Sequence, residues 1–413
     1  MEYERDIVAA VRELACYRPA LLVTGPRQTG KSTMLRMALP DYGYVSLDLP
    51  AVAQEAEESG LEFLRRYPAP LIIDEVQYAP NLFRYLKDAI DRDRHINGRY
   101  VLTGSQLFPL FEDASESLAG RISILNLHSL SLHELQRGAG GGTVERAQVL
   151  EWMFTGGYPE VHASAIEAER FYSDYVATYL ERDVRQVLEV RNLRDFNRFL
   201  RLTAARTGQM LQLNGLASDL GVAVNTVKRW LSVLETSGII RFLEPYYRNL
   251  GKRMVKTPKL YFLDTGLACF LAGLKSPEAL RDSTMLGPVF ETLCFGQLVR
   301  SYAHRGYQAD LYFYRDHAGK EVDFVIPVGE KLELFEAKWA EELPAELPGF
   351  KEMDKLLGPE NVVSRTVITP DPGPPRAIPS RGLTMRSCVD PRGDYVEYDA
   401  RIPRLPPGRS AGS

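Results

Sequence analysis

Short apolar runs alternate with helical spacing through the first 140 residues. Ala20-Leu-Leu-Val-Thr24 is apolar almost throughout, which predicts a strand buried on both faces. A glycine loop follows, and Thr33–Leu39 has the spacing of a helix. Tyr44–Asp48, Leu71–Asp74, Tyr100–Thr103 and Ile122–Leu127 predict further strands. Strands of this kind separated by helices imply βαβ units and an α/β fold on a parallel sheet. Gly138-Ala-Gly-Gly-Gly142 breaks the pattern, and a helical stretch runs from about Glu145 to Arg206. Leu213–Ile240 predicts a helix-turn-helix, and Arg241–Leu263 a β wing with one more strand. From Gly287 the order becomes helix, strand, strand, strand. Asp371–Ser413 is rich in Pro, Gly and Arg and is expected to be poorly ordered. The predicted segments are 1–140, 141–206, 207–275, 276–370 and 371–413.

Composition narrows the class. Of 413 residues, 45% are apolar and 25% charged, which excludes global disorder. A net charge of −4 excludes a general polycation but permits a local basic patch. The four cysteines form no CxxC pair, which argues against a disulfide framework or a cysteine zinc site and fits a cytoplasmic setting. The longest apolar run, Leu267–Leu274, is far short of the roughly 18 residues of a membrane span. The charged start, MEYERD, does not resemble a signal peptide.

Gly25-Pro26-Arg27-Gln28-Thr29-Gly30-Lys31-Ser32-Thr33 matches GxxxxGK[ST] between a predicted strand and a predicted helix. The glycines let backbone N–H groups curl around phosphate oxygens, and the helix adds its positive end. Lys31 is expected on the β- and γ-phosphates of ATP, and Ser32 on Mg²⁺. Leu71-Ile-Ile-Asp74-Glu75 then supplies a carboxylate to the Mg²⁺ shell through Asp74, and a base for the attacking water through Glu75. Thr103 or Ser105, at the end of the next strand, could sense the γ-phosphate or simply cap a turn. Arg121 is a candidate arginine finger, in the same chain or from a neighbouring subunit of a homo-oligomer, or else a surface arginine.

The segments Gly-Pro-Arg-Gln-Thr-Gly-Lys-Ser-Thr, Ile-Ile-Asp-Glu-Val-Gln, Leu-Thr-Gly-Ser-Gln and Leu-Ala-Gly-Arg-Ile occur in this order. Gly156-Gly-Tyr-Pro-Glu160 and Tyr179-Leu-Glu-Arg-Asp183 follow. Over residues 5 to 370 the chain resembles the prokaryotic AAA-type ATPases that carry a C-terminal restriction-endonuclease-like domain of unknown function. The resemblance implies an AAA-like core, a helical lid, a winged helix and a nuclease-like end.

The residues of the last two parts point the same way. In the helix-turn-helix, Val227, Leu231 and Leu234 are expected to face a core, leaving Asn225, Thr226, Lys228 and Arg229 outward. Between Tyr179 and Lys256 there are 14 Lys/Arg against 7 Asp/Glu, a footprint suited to double-stranded DNA, with Arg248, Lys252 and Arg253 on the wing. A protein-interaction module with a solvated basic face is the other reading. Farther on, Glu321-Val-Asp323 opens one strand, and Glu336-Ala-Lys338 ends the next after a turn at Gly329. A hairpin brings Asp323 beside Glu336 and Lys338, which share a face. Two carboxylates holding a divalent metal, with Lys338 on a water, would suit phosphodiester cleavage, and Glu291 could add a third carboxylate. The arrangement is similar to the PD-(D/E)xK signature, although no proline precedes Asp323. The alternative is a nucleotide-gated switch whose nuclease-like domain does not cleave.

Overall fold

The computed structural model describes residues 3–104, 117–180, 193–246, 255–340, 342–344 and 346–393. They form two compact units. One runs up to Ser129 and includes Ser301–Gln308; the other takes Leu130–Arg300 and Ala309–Gly393.

In the first unit, β1 (Ala20–Thr24), β2 (Gly43–Ser46), β3 (Leu71–Asp74), β4 (Tyr100–Gly104) and β5 (Ile122–Asn126) form a parallel sheet in the order β2-β3-β4-β1-β5. Every residue of β1, β3 and β4 is buried, as apolar strands covered on both faces must be. One face packs Leu22, Ile73 and Leu102 with Phe83 and Leu86 of the helix Leu82–Arg92. The other packs Leu21, Val23 and Ile72 with Val11 and Leu35 of the helices Val8–Tyr17 and Lys31–Ala38. The register pairs Val23 with Thr103 and Ser46 with Asp74, so the polar strand ends share one edge.

In the second unit, β6 (Gln209–Met210), β7 (Ile240–Pro245) and β8 (Lys259–Phe262) follow the helices that end with Leu193–Ala204. The helices Leu213–Leu220 and Val224–Thr236 lie between β6 and β7, and Gly221 turns the chain between them. Beyond the helix Leu286–Ala303 come β9 (Tyr312–Arg315), β10 (Glu321–Val328), β11 (Lys331–Ala337), β12 (Val362–Thr369), β13 (Arg376–Ile378) and β14 (Leu383–Ser387). All nine strands make one mixed sheet, β13-β14-β12-β11-β10-β9-β7-β8-β6. Parallel pairing of β7 with β9 carries this sheet across residue 275, where a segment boundary was expected. Asp264 fastens the helical part to it. Its carboxylate caps the helix Thr265–Ala272 and also accepts from Gly157 N (2.9 Å) and Tyr172 Oη (2.7 Å).

The Pro/Gly/Arg-rich segment from Asp371 departs from expectation. Two of its stretches are β13 and β14, because β12 offers β14 a parallel edge. Composition marks turns, but an available edge decides whether the residues between them pair. Among the described residues, no helix is long and apolar enough to cross a membrane.

Gly349 lets the helix Pro348–Leu357 rest on β10. A Cβ there would stand 1.7 Å from the carbonyl oxygen of Glu321. Gly349→Ala is therefore expected to cost about 1–3 kcal/mol of stability, read from urea unfolding, by pushing the helix off the strand.

Candidate functional site

The phosphate loop leaves the buried end of β1 and turns at Gly25, whose φ of 143° only glycine adopts readily. A Cβ at Gly25 would meet the Leu127 carbonyl oxygen at 2.0 Å. Gln28 holds φ 61° without being glycine, and Gly30 enters the helix Lys31–Ala38 at φ 85°. Strain of this kind persists where surrounding bonds fix it. Thr29 Oγ1 donates to Pro26 O (2.9 Å), and Lys31 Nζ donates to Gly25 O (3.1 Å) and Pro26 O (2.9 Å). Arg5, which sequence reasoning missed, is buried and donates to Thr29 O and His128 O, both at 2.7 Å. An arginine on the chain before β1 carries no motif, so only the fold reveals this clamp.

Asp74 is the hub beside the loop. Ser32 Oγ lies 2.8 Å from each of its carboxylate oxygens, Tyr44 Oη donates at 2.8 Å, and Thr103 Oγ1 donates as well. This all-oxygen set suits Mg²⁺, with Ser32 and Asp74 as the residues that could hold it. Thr103 is fully buried and spent on Asp74 and on the Glu75 N–H, so it reaches a nucleotide only through Asp74. The alternative sensor, Ser105, lies outside the described residues. Glu75 stands at φ 57°, and Gln77 Nε2 donates to its carboxylate. Tyr44 and Gln77 are further residues the sequence did not disclose. Burial pulls the Lys31 ammonium down to about 8, against the opposing pull of Glu75 and Asp74. An anion in the loop would raise it again.

Arg121 lies away from the phosphate loop. It precedes Ile122, which pairs with Ala20, so it lies at the opposite end of the sheet from the loop. Four residues at strand rise separate the two ends by about 13 Å. Its guanidinium forks onto Asp91 at 2.7 and 2.9 Å. In this structure it serves Asp91 rather than the phosphate loop.

In the second unit, Val227, Trp230, Leu231 and Leu234 are buried, and Asn225, Lys228 and Arg229 are exposed. Thr226 is half-buried rather than outward, one helical turn before Trp230. Arg248, Lys252 and Arg253 lie outside the described residues.

The hairpin sets Asp323 beside the end of β11. β10 and β11 pair Phe324 with Phe335, and Ala337 N donates to Asp323 Oδ2 at 2.9 Å. A register shift between Val322 and Val325, against β9, re-aims Asp323. Lys338 Nζ is 2.8 Å from Glu336 Oε1. Glu291 arrives from the helix Leu286–Ala303, and one oxygen each of Glu291, Glu321 and Asp323 lies within 4.8 Å of the others. Burial, then Glu291 and Glu336, drive the Asp323 carboxyl well above the usual carboxylate range. Sequence reasoning missed Lys259 and Tyr261, both bonded to Glu291. Lys259 also touches Glu321 and lies 3.9 Å from Asp323. Burial lowers its pKa, but Glu291, Asp323 and Glu321 outweigh burial and hold it above the ordinary lysine range. Lys259 opens an otherwise apolar strand, which was the one available hint.

A glycine loop entering a helix beside an Asp-ended strand, on a parallel sheet, is the arrangement of a P-loop nucleotide-binding core. Residues 17–136 match the family described as an AAA domain. Residues 146–278 and 286–373 match two domains described as being of unknown function, DUF8612 and DUF4143. The chain is 31% identical over 337 residues to the uncharacterized protein Rv2008c of Mycobacterium tuberculosis, covering 81% of this chain and 73% of that protein. The same figures hold for the uncharacterized protein Mb2031c of Mycobacterium bovis. The chain belongs to the family of these mycobacterial proteins. Among solved structures it is similar to the Walker-type ATPase of Pyrococcus abyssi (TM-score 0.43, 17% identity, 65% of this chain and 96% of that one). It is also similar to the RuvB Holliday junction branch migration motor of Thermotoga maritima (TM-score 0.29, 20% identity, 57% and 86%).

Gly25→Ala is expected to weaken binding of a fluorescent ATP analogue by about tenfold or more, because the loop must leave the Leu127 carbonyl. The measurement is a fluorescence titration of purified protein.

Proposed function

We propose that this protein is a Mg²⁺-dependent ATPase that couples its nucleotide state to binding of double-stranded DNA. The observation that carries the ATPase reading is the convergence of Ser32, Tyr44 and Thr103 on Asp74, beside Lys31 and the glycine loop. Lys31 would leave the loop carbonyls for the β- and γ-phosphates. Ser32 and Asp74 would hold the ion, which supplies charge neutralisation on the phosphates when bound. Glu75 would take the proton of the attacking water once Gln77 releases it. In a homo-oligomer, Arg121 could serve a neighbouring subunit's nucleotide after parting from Asp91.

DNA binding is supported by the exposed Asn225, Lys228 and Arg229 on the second of two helices joined at Gly221, with the β7–β8 pair following as a wing. We read 207–275 as a winged helix and 276–370 as a restriction-endonuclease-like domain centred on Asp323, Glu336 and Lys338. One observation favours a non-cleaving form of that domain: an ammonium already lies among its carboxylates.

Phosphate release with Mg²⁺-ATP, with and without double-stranded DNA, tests the whole reading, with Lys31→Ala as the blank. DNA-stimulated turnover is expected. Turnover indifferent to DNA would move the basic helix to a protein partner. Glu75→Gln should lower turnover about 100-fold or more while leaving nucleotide affinity within a few-fold. Lys228→Ala and Arg229→Ala should each weaken DNA binding and reduce the slope of log K against log salt by about 1. An unchanged slope in a filter-binding series rules out phosphate contacts at those residues.

A further inference from the structure

Lys259 is the first residue of β8, and its side chain is 3% exposed. Its Nζ lies 2.7 Å from Glu291 Oε1, touches Glu321, and stands 3.9 Å from Asp323 Oδ1. The three carboxylate oxygens are spaced as they would be around one small cation, whose bonds to oxygen run about 2.0–2.6 Å. The ammonium occupies that place, and a divalent ion cannot share it, since two positive centres about 3 Å apart repel strongly at low dielectric.

We propose that Lys259 is the resident cation of this cluster and holds the position a divalent metal would take between Glu291, Glu321 and Asp323. The inference rests on the restriction-endonuclease-like reading of the C-terminal sheet, and it gives that sheet a built-in block to metal binding. The lysine is pinned at both sides of its backbone, because β8 pairs with β7 at Leu243 and with β6 at Met210. The ring of Phe313 lies 5.5 Å from its ammonium. Each carboxylate is also aimed by a second donor: Tyr261 for Glu291, Arg315 for Glu321, and the Ala337 N–H for Asp323.

The test is Mn²⁺ binding by the nucleotide-free full-length chain, followed by electron paramagnetic resonance of free Mn²⁺. The wild type should show no Asp323-dependent site tighter than about 1 mM, and Lys259→Met should gain one about tenfold tighter or more. Adding Asp323→Asn to Lys259→Met should remove the gain, which assigns it to this cluster rather than to the phosphate loop. A wild type that binds Mn²⁺ through Asp323 as tightly as Lys259→Met, or a folded Lys259→Met that gains nothing, overturns the inference. Should Lys259→Met not fold, the melting temperatures of the wild type and Asp323→Asn decide. An Mn²⁺-induced rise present in the first and absent in the second overturns the inference, and equal responses support it. The nuclease reading fails separately. If Mn²⁺-loaded Lys259→Met leaves supercoiled plasmid intact, the domain does not cleave, while the metal result stands.

Discussion

An ionised group removed from water must find partners, and this constraint organises both units of the protein. In the first unit Asp74 is buried at the end of β3, and three hydroxyls converge on it. In the second, Lys259 is buried at the start of β8 among three carboxylates. Losing one partner of such a group leaves a desolvated charge, at a cost of several kcal/mol. The residues that satisfy these groups are therefore fixed as firmly as the apolar core around them.

The two centres differ in what the fold leaves open. Around Asp74 the donors are hydroxyls, which can turn to another oxygen when a metal-bearing phosphate arrives. Among the described residues, Lys31 hydrogen-bonds to carbonyls of its own loop, an arrangement an anion can displace. Around Lys259 the partner is an ammonium that is itself buried, and displacing it means unpairing a buried charge. The first arrangement is open to a ligand, and the second already holds a cation of its own.

The phosphate site was legible because its residues are close in sequence and their spacing is set by the chemistry of phosphate. A parallel sheet with polar strand ends at one edge then accounts for Asp74 and Thr103. Arg121 shows the limit of that reasoning. Both ends of a parallel strand are flanked by loops, and a sequence cannot say which end an arginine serves until the register is known. The Ile122–Ala20 pairing places it on the far edge, where Asp91 takes it. The Asp371 segment shows another limit, since its pairing depends on an edge supplied by β12.

The sequence by itself determined the alternation that builds the first sheet, the loop from Gly25 to Thr33, the Asp74–Glu75 strand end, the two helices meeting at Gly221, and the Asp323–Glu336–Lys338 hairpin. Each is a local pattern, fixed by the periods of helix and strand or by the geometry of one short turn. Tertiary structure alone decided that Arg5 clamps the loop, that Tyr44 completes Asp74, that one sheet runs from β6 to β13, and that Lys259 sits among Glu291, Glu321 and Asp323. These partners lie tens of residues or more apart in the chain. Only the pairing of strands and the packing of helices brings them within a hydrogen bond of each other, and no spacing rule encodes that distance.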